Sequence, residues 1–181
     1  MTKFILGFLF YACFPQANAN AQDSTRYEKE AIQFLKEMTD RDSIPNIVLL
    51  SDKPFVLSKN ECIKYFYADT MTFSKGEMES VLNDQPIIKW TNSWISKYKI
   101  ISDDTVNVIF GDNSKDWPYF YQHVGNSFRT MSAPLFMRAY KYCLFYSSYQ
   151  CGGLCGQGHF SLYEKKNGHW IRIKMYCTWI S

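Results

Sequence analysis

The chain has 181 residues, of which 46% are hydrophobic and 18% aromatic, so it carries enough apolar side chain for one buried core and does not have a disordered composition. Its formal charge is +3, or +2 without Lys3 of the leader, and lysines and acids are interleaved. That balance excludes an electrostatic nucleic-acid footprint.

Met1–Ala21 has the layout of a secretory signal. Lys3 supplies the positive start, Phe4–Phe14 is apolar, Pro15 breaks the run, and Ala17-Asn18-Ala19 or Ala19-Asn20-Ala21 offers small residues for cleavage. The apolar run falls short of the roughly 20 residues that a lasting membrane span needs. A competing reading is a lipobox ending at Cys13, which would anchor the chain as an outer-membrane lipoprotein. Phe10 and Tyr11 are bulky for that motif. No other stretch is long and apolar enough to span a membrane. The expectation is a secreted or periplasmic protein whose residues 22–181 form a single α+β domain. Exported cysteines usually pair. The mature chain keeps Cys62, Cys143, Cys151, Cys155 and Cys177, an odd number, so at least one thiol stands outside intramolecular pairing.

Asp23–Asp40 reads as the first helix, opened by a Thr25/Glu28 capping box, with an apolar stripe of Tyr27, Ala31, Ile32, Leu35 and Met38. Short apolar runs follow at Asn46–Leu50 and Pro54–Leu57. Ser58/Glu61 and Ser74/Glu77 are further capping boxes, the second opening a helix that stops near Asn83, ahead of Pro86. Ile63–Thr72 fits a strand or a helix. Trp90 and Trp94 have helical spacing in a segment that fits irregular structure equally well. Tyr98–Ile101 and Thr105–Phe110 alternate around Ser102-Asp103-Asp104 and read as a hairpin or two strands. Trp117–Val124 reads as a helix with Pro118 in its first turn. Arg129–Ala133 and Leu135–Met137 are extended.

The C-terminal stretch is the most strongly patterned. Asn167-Gly168 between two alternating runs signals a type I′ hairpin. Continuing that register places Leu162 opposite Ile173 and Phe160 opposite Met175. Phe160, Leu162, Ile171, Ile173, Met175, Cys177 and Trp179 then face the core, and Ser161, Tyr163, Lys165, Arg172, Lys174 and Thr178 face solvent. Tyr140–Ser148 is a third strand, joined to Phe160 by a glycine-rich loop, Tyr149–Gly158. The element order suggests N-terminal helices followed by an antiparallel C-terminal β-sheet.

The series Phe73-Ser74-Lys75-x-Glu77, Lys89-Trp90, Met131-Ser132-Ala133-Pro134-Leu135-Phe136, Cys151-Gly152-Gly153-Leu154-Cys155-Gly156, Lys166-Asn167-Gly168-His169-Trp170 and Trp179-Ile180-Ser181 resembles a group of uncharacterised small exported proteins of Bacteroidetes-type bacteria. The resemblance implies export and a one-domain fold, and it carries no activity, cofactor or catalytic residue.

Cys151 and Cys155 are close enough in sequence to close a small disulfide ring where the backbone turns. Cys143 and Cys177 form a second pair, or are two small buried hydrophobes, with Cys62 left over. The candidate binding residues are Tyr149, Cys151, Gly152, Gly153, Leu154, Cys155, His159 and Trp179, a rigid loop flanked by recognition-type aromatics. Three chemical readings compete with simple bracing. The Cys151, Cys155 and His159 spacing suits zinc, but thiolates oxidise in that compartment. A Cys155–His159 nucleophile pair would have to stay reduced. A thioredoxin-like centre requires a different spacing. No Gly-x-Ser-x-Gly or His-Glu-x-x-His motif occurs. The turn acids Asp103, Asp104, Asp112 and Asp116 read as solvated. The sequence therefore suggests a non-enzymatic exported protein that binds a protein or small-molecule partner in the cell envelope through the loop 149–159. No cofactor, metal, nucleic acid or transmembrane segment is expected.

Overall fold

The Asn167-Gly168 turn forms as its residues require. Both take positive φ, 51° and 81°. β6 (Cys155–Lys166) and β7 (His169–Ile180) run antiparallel from it, with Lys166 opposite His169. The structure, a computed structural model, describes residues 18–41, 48–83, 86–112 and 114–181. The leader read in Met1–Ala21 lies almost wholly outside the described residues.

Away from the turn the register departs from strict alternation. Leu162 pairs with Lys174, not Ile173, and Phe160 pairs with Cys177, not Met175, because two bulges leave Ile173 and Tyr176 without a cross-strand partner. Each bulge adds one residue to β7 and resets which face the following residues occupy. The expected core face of β7 does not hold, from Ile173 onward because of the bulges, and at Ile171, which precedes them opposite Glu164, because that face is left open there. Ile171, Ile173 and Met175 are 45%, 42% and 44% exposed, while Trp170 and Tyr176 are buried. On β6, Ser161 and Tyr163 are buried along with Phe160 and Leu162, so this strand is covered on both faces.

The cover on one face is α1 (Asn18–Asp40). Its Phe34 makes edge contacts with Phe145, Tyr163 and Trp170 at centroid distances of 5.0, 5.2 and 5.4 Å. Phe34, absent from the expected stripe, is thus the residue that fastens this helix to the sheet. The helix already runs through Thr25, so Thr25/Glu28 is not a capping box. The opposite face is covered by α2 (Ile63–Tyr67), α3 (Lys75–Asn83) and the connections around them. Phe66 meets Phe160 and Tyr176, Phe73 meets Tyr142, and Phe55 meets Tyr146.

Among the described residues the sheet has seven strands and is mixed, which corrects the expected antiparallel sheet that follows the helices. β1 (Leu49–Ser51) pairs in parallel with β2 (Lys99–Ile101) and with β3 (Phe128–Met131). β3, β5 (Tyr142–Gly152), β6 and β7 are antiparallel, and β4 (Leu135–Met137) pairs with the start of β5. Parallel neighbours need crossover connections. α2 and α3 lie between β1 and β2, and α4 (Asp103–Phe110) and α5 (Trp117–His123) lie between β2 and β3. Helices and strands are interleaved, and the class remains α+β.

The local signals succeed and fail for identifiable reasons. Ser74 and Glu77 form the reciprocal capping box at the start of α3: the Ser74 N–H donates to Glu77 and the Glu77 N–H to Ser74, at 2.9 and 3.3 Å. Pro118 sits in the first turn of α5. Ser58/Glu61 does not open a helix; α2 starts later, with Cys62 at its N-cap position. Residues 105–110, expected to be extended after a turn at Ser102-Asp103-Asp104, are helical within α4. Asp103 and Asp104 occupy the first turn, where acids suit the helix dipole, and Val106 and Ile109 are buried three residues apart with Phe120, Phe128 and Leu49. The Trp90–Trp94 segment is irregular.

Two disulfides close, Cys62–Cys177 and Cys151–Cys155, and Cys143 is a buried free thiol whose pKa burial pushes well up. The expected Cys143–Cys177 pair does not form. β6 lies between their strands, and Cys143 sits opposite Tyr163 on the α1 side whereas Cys177 sits opposite Phe160 on the other. Cys62, expected to be left over, reaches Cys177 because α2 packs on that second face. Such pairing accords with an oxidising, extracellular-type environment. Among the described residues no helix is long and apolar enough to cross a membrane.

Candidate functional site

The segment read as a long loop, Tyr149–Gly158, is mostly strand. β5 continues to Gly152, β6 begins at Cys155, and only Gly153-Leu154 turns. A bulge between Gln150 and Gly152 leaves Cys151 without a cross-strand partner while Gly152 pairs with Cys155, and the Cys151–Cys155 disulfide clamps the tip. Leu154, at the apex, is 93% exposed.

Two other elements support the tip. From α5, the Tyr121 hydroxyl donates to the Cys151 carbonyl at 2.6 Å, and Trp117 lies beside Tyr121 with ring centroids 5.7 Å apart. From the end of β7, the Ser181 N–H donates to the Gly156 carbonyl at 3.0 Å. Trp179 lies directly over Gly156 and Gly158, and its Nε1 donates to the Tyr146 hydroxyl at 3.1 Å. A Cβ on Gly158 would fall 2.6 Å from Trp179 Cε2. Gly158→Ala is therefore expected to lift the indole off β6 and cost about 1–3 kcal/mol, as overpacking does. A denaturant melt reads the loss, and a shift of the Trp179 Nε1–H resonance shows its place.

The structure brings Cys151, Gly152, Gly153, Leu154 and Cys155 together at this tip, with Trp179 packed along its base. It separates the remaining two. Tyr149 lies opposite Arg129 and Gln157. His159 sits opposite Ser147 and Thr178, on the α1 side of the sheet, about 13 Å along the strand from Cys155 at an ordinary strand rise. Cys155 and His159 are thus too far apart for a nucleophile–base pair. Among the described residues no three His, Cys, Asp or Glu side chains converge as metal ligands.

His159 instead lines a cavity of 310 Å³ between the end of α1 and the sheet, with Arg41, Arg129, Ser147, Tyr163 and Arg172. The Arg129 side chain is buried, donates from Nη1 to the Ser147 hydroxyl at 2.9 Å, and lies over the Tyr98 ring at 5.5 Å. Burial pushes the Tyr163 phenol up to about 12, against the pull of the neighbouring Arg172 charge, so the hydroxyl stays neutral and able to donate. Sequence reading missed this cluster. Its members come from four strands and one helix end with no linear motif, and Tyr163 was assigned to a solvent face that α1 in fact covers. Comparison with protein-family models, curated proteins and solved structures found no match for the chain.

Proposed function

We propose that this is an exported, non-enzymatic binding protein that inserts the disulfide-clamped tip of the β5–β6 hairpin into an apolar cleft of a protein partner in the cell envelope. The observation that carries the reading is Leu154, a large apolar side chain 93% exposed on a turn closed by Cys151–Cys155. An exposed apolar group is unremarkable on its own. Here it sits on a cross-linked turn propped by Trp117, Tyr121 and Trp179. Such a rigid support lowers the ordering cost of binding, and an apolar anchor entering a pocket is how hot spots work. Two disulfides fit the oxidising compartment that export implies, and the resemblance to small exported proteins points the same way. With both tip sulfurs in a disulfide, a thiol-based reaction at Cys155 is the weaker reading.

The test is site-specific photocrosslinking in envelope extracts. A benzophenone amino acid at position 154 is expected to yield one discrete adduct, and the same group at Lys59, away from the tip, none. Cys151→Ser/Cys155→Ser should reduce the adduct at least tenfold if clamping supplies the pre-organisation, while the melting transition stays cooperative. Equal adducts from both positions, or capture indifferent to Leu154→Asp in a pulldown, would sink the proposal.

A further inference from the structure

We infer that the cavity between the C-terminal turn of α1 and the sheet binds a small molecule through an oxyanion, a carboxylate or a phosphate ester. The site is distinct from the hairpin tip, and three observations lead to it.

The first is charge. Arg41, Arg129 and Arg172 converge on one cavity of 310 Å³ together with His159, and no carboxylate lines it among the described residues. Guanidinium groups are the side chains that hold carboxylate and phosphate in two-pronged geometry. Among the described residues Glu37 takes Arg41 at 3.4 Å across an exposed helix turn, a weak interaction. Asp42 follows Arg41 in sequence, and Arg129 and His159 each have a further partner of their own.

The second is positioning. Arg129 is held by the Ser147 hydroxyl and the Tyr98 ring, so one cation is fixed inside a packed wall before any ligand arrives. Ser147 and Tyr163 add neutral hydroxyls, and Met38 and Met131 supply apolar wall for the body of an organic anion. Pockets for small molecules have this composition, a few convergent polar groups among apolar ones.

The third concerns the helix end. The C-terminal carbonyls of α1 would oppose an anion. At Thr39 that carbonyl is taken by the ammonium of Lys97, which offsets part of the unfavourable field.

The experiment titrates the mature protein with phenyl phosphate, benzoate and the neutral benzyl alcohol at constant ionic strength. The His159 ring resonances and the melting temperature are followed. Phenyl phosphate or benzoate is expected to shift both, and benzyl alcohol neither. The tighter of the two anions identifies the source as a phosphate ester or a carboxylate. Arg41→Gln and Arg172→Gln, both at exposed positions, should each weaken binding about tenfold, the scale of one charge-assisted contact. Lys59→Gln removes the same charge elsewhere and should leave affinity unchanged. Equal weakening by all three variants would reduce the effect to bulk charge and overturn the inference. So would the absence of any response at millimolar ligand in both the wild type and Asp42→Asn, the variant that removes the acid next to Arg41 in sequence.

Discussion

Cys62→Ser/Cys177→Ser is expected to lower the melting temperature by about 10–20 °C, whereas Cys151→Ser/Cys155→Ser lowers it far less. The two bridges span sequence separations of 115 and 4 residues. In the chain-entropy account the long closure is worth about 5 kcal/mol and the short one about 2. Five kcal/mol is comparable with the whole stability of many domains. Position adds to length. β7 is an edge strand, tied to β6 on one side only, and Cys177 anchors it to the start of α2. The tip bridge instead closes a hairpin whose strands are already in register and supported by Tyr121 and Ser181. Calorimetry of the two double variants tests the ranking. A larger loss from the tip pair would mean that the hairpin end holds the fold, and that the bridge there is structural.

How much of this was legible in the sequence depended on whether a signal was local. Asn167-Gly168, Ser74/Glu77 and Pro118 act through their own backbone within a turn and did what their residue types require, whereas Thr25/Glu28 and Ser58/Glu61, equally local, were overridden by where the helices start. The register of β7 was not legible, because bulges at Ile173 and Tyr176 carry no distinctive residue. Tyr176 turns inward to meet Phe66 and Asp69, both more than a hundred residues away in sequence. Residues 105–110 misled for a similar reason. Alternation in Val106, Val108 and Phe110 suits a strand, yet the buried pair is Val106 with Ile109, chosen by the packing of Phe120 and Phe128. Parallel pairing of β1 was hidden in a run of only three residues, too short to show any period.

The candidate site was legible in the same partial way. Spacing alone brought Cys151 to Cys155, since four residues and a turn leave little choice. It gave no means of pairing Cys62 with Cys177, because that contact depends on how α2 lies on the sheet. His159 was grouped with the cysteines by proximity in sequence, and the strand carried it away from them. The arginine cavity was invisible for the opposite reason. Arg41, Arg129 and Arg172 are remote in sequence and meet only because α1 crosses the face formed by β3, β5, β6 and β7.

Asp69→Ala is expected to cost about 3 kcal/mol, and Tyr176→Phe about 1, at neutral pH. Asp69 is buried between α2 and α3 and accepts from Lys174 at 2.8 Å, the Tyr176 hydroxyl at 2.7 Å and the Thr72 hydroxyl at 2.8 Å. Losing the carboxylate strands a buried hydroxyl and unpairs a half-exposed ammonium. Losing only the Tyr176 hydroxyl leaves the ion pair intact. Burial by itself would raise the Asp69 pKa, but the bonds from Lys174, Tyr176 and Thr72 outweigh it and hold the group below its ordinary value. Asp52 behaves alike: burial opposes, while the Asp103 N–H and Lys89 prevail. A depressed folded pKa means that stability is complete above the unfolded value, about 4, and is lost as pH falls through the lower folded value. Urea midpoints should therefore fall in acid, and Asp69→Asn should flatten part of that fall while starting lower at neutral pH. Parallel curves for wild type and Asp69→Asn would show that Asp69 adds nothing to acid sensitivity. A flattened curve would show that Asp69, by taking Tyr176 and Lys174 of β7, fastens the edge strand from the same face as the Cys62–Cys177 bridge.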